Sequence, residues 1–207
     1  MLTQFDALLI VEFHDENLCR NDWLGGTGGP PPSGVWRWID ANHRFNSMLW
    51  DEESRARRPD VGPVDIAASK RLIDRHKQLR NDAVEAIDEA LLAQLAEVRH
   101  DDSARLSSET AGAMIDRLSV LALKIFHMRQ QTRRPDASTV HIDTCRARLQ
   151  RVMAQRNDLA CCLDQLLIDV QSGLAYFKVY RQFKMYNDPS LNLSQCARTA
   201  SVSGSAR

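Results

Sequence analysis

Apolar residues that recur every three or four positions over long stretches constrain this chain more than any other feature. From near Asp65, Leu72, Leu79, Ala83, Ile87, Leu91, Leu95 and Val98 keep that spacing, which lays them along one side of a 3.6-residue helix. VWRWIDANHRFNSMLWDEESRAR (35–57) places Trp38, Phe45 and Leu49 in the same way. A third stretch spans about Thr110 to Thr132. A fourth begins near Asp143 with Cys145, Leu149, Val152, Leu159, Leu163, Leu166 and Val170, and Gly173 interrupts it. Glycine and proline cluster in the breaks. GGTGGPPPSG (25–34) holds five of the nine glycines and three of the seven prolines, a run suited to a loop and to neither helix nor strand. RRPDVGP (57–63), RRPDAS (133–138) and NDPS (187–190) mark further breaks. No stretch alternates in strand fashion and none repeats. The pattern predicts an all-α fold, an antiparallel bundle of four to five long helices, as one domain over 1–193 with a flexible tail over 194–207.

At 207 residues the chain is long enough to bury such a core without staples. Lys+Arg and Asp+Glu each number 27, so no global field draws the protein to nucleic acid or to an anionic membrane. Any anion site must be a local cluster. The five cysteines, Cys19, Cys145, Cys161, Cys162 and Cys196, include no CxxC spacing, and reduced thiols are expected. Near the start, ALLIV is too short for a membrane span and is bracketed by Asp6 and Glu12. A cytoplasmic protein without membrane insertion is expected. Phosphate-loop, dinucleotide, serine-hydrolase and HExxH motifs do not occur. One Glu97-Val98-Arg99-His100 match falls short of the paired Glu-x-x-His motifs of a di-iron bundle. Neither a metal nor a cofactor is expected.

Interest therefore passes to polar residues that interrupt the apolar seams. His76 and Arg80 fall on the seam of the long helix from Asp65, and Arg156 on that of the last helix. A buried guanidinium must be paired and hydrogen-bonded, unless it lies near a bundle end and reaches water. Over 110–132, Met114, Ile115, Leu118, Leu121, Ala122, Ile125 and Met128 cover one side at about 100° per residue. Asp116, Arg117, Ser119, Lys124 and His127 gather on the other, yet Val120 and Leu123 share that arc. Such a face is a solvated surface, a satisfied network or a ligand site. In KVYRQFKMYNDPS (178–190), Lys178, Arg181 and Lys184 step by three beside the aromatic ridge Tyr176, Tyr180 and Phe183. Spacing alone allows a basic terminal helix with cations at its negative dipole end or one wall of an anion pocket.

Several stretches together resemble a bacterial family known only as domain-of-unknown-function family 4254. They are LW-x-x-E (Leu49, Trp50, Glu53) with the following ARR, KRLIDRHKQLRNDAVEAIDEALL (70–92), SSETAGAMIDRLSVLALKIFHMR (107–129), QRNDL (155–159) and KVYRQFKMYNDPSLN (178–192). The resemblance implies a helical fold and a setting in surface-polysaccharide assembly beside glycosyltransferases. It carries over Glu109, Thr110, Gly112, Asp116, Arg117, Ser119, Lys124, His127, Arg156, Lys178, Tyr180, Arg181, Gln182, Lys184, Tyr186, Asn187 and Asp188. This chain departs from the family pattern at Ala111, where relatives have proline, and at His76-Lys77, where they have Asn-Gln.

A family signature built of charged and hydroxyl residues suggests a polar constellation with a function. The expected site is a pocket formed by the 110–132 helix, the Arg156 region and the 178–188 segment. It would take a small anionic ligand, a phosphorylated sugar or a sugar nucleotide. Arg117, Arg156, Lys178, Arg181 and Lys184 would hold the negative groups, with Ser119, Lys124, Gln182, Tyr186, Asn187 and Asp188 as further ligand contacts. Glu109, Asp116, His127 and Tyr180 would supply acid–base chemistry. The alternative is a docking module that offers its basic-aromatic edge to a glycosyltransferase, since Tyr, Trp and Arg suit that use equally.

Overall fold

Five helices account for most of the ordered backbone in the computed structural model, which describes residues 5–20, 22–25, 32–182 and 191. They are α1 (Ala7–Leu18), α2 (Val35–Arg55), α3 (Pro63–Gln94), α4 (Ala111–Thr132) and α5 (Thr139–Gln171). Local chemistry sets where each begins. The Asp6 carboxylate accepts the Leu9 N–H and opens α1. Pro63 stands in the first turn of α3, where a missing N–H is harmless. The Thr110 and Ser138 hydroxyls accept from Ala113 and His141 and open α4 and α5. All-α architecture follows as expected.

Two antiparallel hairpins, α2–α3 and α4–α5, make the body of the bundle. Arg55 at the end of α2 meets Asp65 at the start of α3, and Gln131 near the end of α4 meets His141 at the start of α5. The short α1 packs against α4 and α5, its Ala7 N–H bonded to Asp164 of α5 at 2.8 Å. Ile10, Ile39, Ile87, Leu91, Ile115, Leu118, Leu163 and Val170 form one continuous core, and its burial is the main favourable term in folding. On α3 the buried register is Ser69, Ile73, Asn81, Ala83, Ile87, Asp88 and Leu91. Leu72, expected on the seam, is therefore exposed and Ile73 takes the inward position. No helix among the described residues is long and apolar enough to cross a membrane.

One expectation fails. The spacing of the basic-aromatic segment suits a helix, but the described part of it, 178–182, forms none. Gly173 adopts φ 73° and ends α5, a conformation that favours glycine. A Cβ there would collide with the Arg99 carbonyl oxygen. The backbone that follows finds its partners on the loop after α3. Arg105 N–H donates to Leu174 O at 2.9 Å, and Ser107 N–H to Tyr176 O at 2.8 Å. This makes a short parallel pair of strands, β1 (Arg105–Leu106) and β2 (Ala175–Tyr176), with Arg105 opposite Ala175. Residues 177–182 continue as an irregular strap over α3, with Phe177 buried and Tyr180 exposed.

Candidate functional site

The polar arc of α4 faces α2, whose buried side is itself polar. Asn42, His43, Asn46 and Ser47 are all buried on α2. The Asn42 and Asn46 amides donate to Asp116 Oδ1 at 2.8 and 2.9 Å, and Asn46 also donates to Ser119 Oγ at 3.0 Å. The Ser119 hydroxyl lies 2.7 Å from His43 Nδ1, and His43 Nε2 lies 3.2 Å from the His14 carbonyl oxygen. One tautomer satisfies the chain. Nε2–H donates to that carbonyl, and Nδ1 accepts from Ser119, which in turn accepts from Asn46. Burial brings the His43 pKa down to about 4 and keeps the ring neutral, against the opposing effect of its own backbone hydrogen bond. Ser119 and Asp116 are thus held in a satisfied network between α2 and α4.

His14 packs on His43 with ring centroids 4.4 Å apart and planes tilted by 37°, and neither of its ring nitrogens has a hydrogen-bond partner. Burial, then His43, then Arg156 hold its pKa well below the usual value. Arg156 is buried and donates to Asp15 of α1 at 2.8 Å. This corrects the expected pocket. The buried guanidinium does need a partner, but its partner is on α1, and it fastens that helix to α5.

A different arginine takes the central position. Arg80 of α3 points between α2 and α4, with its Nε 3.7 Å from Asp116 Oδ1 and an Nη donating to Asn81 at 3.3 Å. The Nε itself is buried without a hydrogen-bond partner. Three clefts meet on this side chain. One, of about 340 Å³, is walled by α3, the start of α4 and the strap, and includes Asp88, Thr110, Asp116, Arg117 and Tyr180. A second, of about 350 Å³, lies between α2, α3 and α4 beside Trp50 and Lys77. A third, of about 780 Å³, follows the α4–α5 groove past Glu109, Arg117, Lys124 and Asp158.

The first cleft is built where Gly112 brings the start of α4 against α3. Gly112 sits so near α3 that a Cβ would lie 2.6 Å from Val84 O and 2.8 Å from Asp88 Oδ1. That approach lets the Gly112 N–H donate to Asp88 at 2.6 Å in the first turn of α4. The contact and the helix dipole favour the ionised carboxylate, but burial outweighs them and pushes the Asp88 pKa up to about 6. The strap closes the opposite wall. Gln182 accepts from Asn81 at 3.0 Å through its side chain and donates to Glu85 at 2.9 Å through its backbone N–H, while Arg181 pairs with Glu89 at 2.7 Å.

The expected site residues separate into groups. Asp116, Arg117 and Tyr180 line the first cleft together, with Gln182 from the strap. Glu109 and Arg117 pair with each other at 2.5 Å, and Lys124 lies along the third cleft. His127 is elsewhere. It stacks in parallel on Trp50 at 4.5 Å and lines a smaller cavity of about 160 Å³ at the α1 end. Its pKa is lowered, mainly by burial. Lys178 is exposed and rests over the Tyr176 ring at 5.8 Å. Lys184, Tyr186, Asn187 and Asp188 lie outside the described residues. Arg80, Asn81 and Asp88 were not among the expected site residues. A seam-breaking arginine was the signal for the first, and one acid beside Glu89 on a charged helix gives no signal by itself.

An all-α bundle with a polar cleft at the joint of two hairpins is the class of structure these observations define. A sequence model of the family described as "Protein of unknown function (DUF4254)" matches residues 36–179. The chain belongs to that family. The matched span ends at Val179, so half of the strap and most of the closing motif lie beyond it. No curated protein and no solved structure matches the chain.

Proposed function

We propose that the clefts meeting on Arg80 bind a small anionic ligand of the phosphorylated-sugar or sugar-nucleotide class. The observation that carries this is the buried Arg80 Nε, an ionised donor without a hydrogen-bond partner at the junction of the clefts. A buried N–H donor left without a hydrogen bond is costly even with the Asp116 carboxylate 3.7 Å away, and a phosphate oxygen would satisfy it. The first cleft sets carboxyl and amide groups, Asp88, Asp116 and Asn81, beside that cation. Hydroxyl-rich ligands suit such acceptors, and an anionic group suits the guanidinium. The surface-glycan setting implied by the family resemblance contains ligands of this composition. Among the residues of the first cleft, Asp88 is best suited to exchange a proton with a ligand near neutral pH.

The exposure of Tyr180, at 65%, and of Lys178 favours a second reading, in which the strap docks a partner such as a glycosyltransferase. Thermal-shift and calorimetric titration with nucleotide sugars, sugar phosphates and inorganic phosphate separates the two. A ligand is expected to raise the melting temperature of the wild type. Arg80→Ala is expected to lower its affinity by about tenfold to a hundredfold, the range for removing a hydrogen bond to an ionised group. Equal binding by Arg80→Ala, or no binding in the wild type, overturns the cleft reading. Copurification of a partner that is lost on Tyr180→Ala would then support docking.

A further inference from the structure

We infer that the ligand is a nucleotide whose base lies against Trp50, on the α2 side of Arg80. This rests on the reading of Arg80 as the anion anchor and decides between the two ligand classes named there. The second cleft differs in chemistry from the first. Leu49, Trp50, Val120 and Leu123 give it an apolar wall, while Lys77 and Arg57 stand with Arg80 on the cationic side. The first cleft, across Arg80, offers carboxyl and amide acceptors. A ligand spanning both therefore has an apolar flat end, a central anion and a hydroxyl-rich end. That is the order of parts in a nucleoside diphosphate sugar.

Trp50 is prepared for this role before any ligand arrives. Its ring lies parallel to the His127 imidazole, with an interplanar angle of 2° and centroids 4.5 Å apart. Burial lowers the His127 pKa, against the opposing effects of Gln130 and Asp51. The stack fixes the indole, so a base placed on it loses little more freedom than its own. A sugar phosphate without a base would leave this wall uncovered. Glu53, which pairs with Arg57 at 2.6 Å and Lys77 at 3.6 Å, keeps those cations placed along the rim.

Calorimetric titration of the full chain with inorganic pyrophosphate, glucose 1-phosphate, uridine diphosphate and guanosine diphosphate tests the inference. At least one nucleoside diphosphate is expected to bind about tenfold or more tightly than pyrophosphate, the lower part of the range for a base stacked on an aromatic ring. Trp50→Ala is expected to erase that advantage while leaving pyrophosphate affinity unchanged, and Trp50→Phe to keep part of it. A nucleotide advantage that survives Trp50→Ala in a folded variant, or no advantage over pyrophosphate and glucose 1-phosphate, overturns the base site but leaves the anion site standing. Should Trp50→Ala fail to fold, Trp50→Phe decides: an unchanged advantage there overturns the inference. Absence of binding by every probe overturns the anion site itself, and the inference with it.

Discussion

The Asp88 carboxyl accepts the Gly112 N–H at 2.6 Å, yet burial raises its pKa from 3.8 to about 6. Between those values the folded chain holds a proton that the unfolded chain has released. The proton linkage therefore favours the folded state most below about pH 4, and this contribution is lost as pH rises through 6. Asn keeps an oxygen for Gly112 and carries no charge. Asp88→Asn is accordingly expected to gain about 2–3 kcal/mol relative to wild type between pH 4 and pH 7, at about 1.4 kcal/mol for each pH unit that separates the folded and unfolded pKa. Urea denaturation at the two pH values measures this, and a constant difference would contradict it. At this scale the sequence was only partly legible. Arg156 and Arg80 both break apolar seams, and nothing in their spacing tells which one meets an acid on α1 and which one opens into a cleft. Partner choice is set by α1, a helix distant in sequence from both.

Among the elements, the contact of α3 with the start of α4 depends on one missing side chain. Gly112→Ala places a Cβ 2.6 Å from the Val84 carbonyl, and backbone cannot give way as a flexible side chain does. The expected cost is about 1–3 kcal/mol, the usual range for overpacking. Thermal unfolding of the variant reads it, and a loss of ligand affinity larger than that of a distant surface control would show the cleft widening. Helices were legible because their spacing is repeated over many turns. The strap was not, because Tyr176, Tyr180 and Phe183 share a spacing that a helix would use and an irregular chain also permits. Gly173 gave the needed warning as an interruption of α5, but the strand that accepts the next residues is only two residues long and leaves no alternation to read.

Across the whole molecule, the buried His14 and His43 rings pack on each other and join α1 to α2. His43 has a pKa of about 4 against 6.5 in the unfolded chain. Here the unfolded chain holds the extra proton between those values, so stability is full above about pH 6.5 and falls as pH drops toward 4. This runs opposite to Asp88 over part of the same window, and the two are separated by variants. His14→Leu removes two unpartnered buried nitrogens at similar volume. It is expected to raise stability at pH 7 by about 1–3 kcal/mol and to flatten the acid limb of a plot of melting temperature against pH. Loss of stability at neutral pH would show that the nitrogens have a partner, such as a bound water. Fold class was legible at this scale from periodicity alone, whereas the central histidine pair required two helices to be brought together.

The tie between Arg105–Leu106 and Ala175–Tyr176 has a mechanical consequence. The chain entering α4 and the chain leaving α5 share a single knot of backbone hydrogen bonds beside Thr110. Whatever pulls on the polypeptide past Gln182 also tugs the threshold of α4, where Asp88 and Gly112 meet. One wall of the cleft is leashed to the other through the main chain, independently of any side chain that lines it.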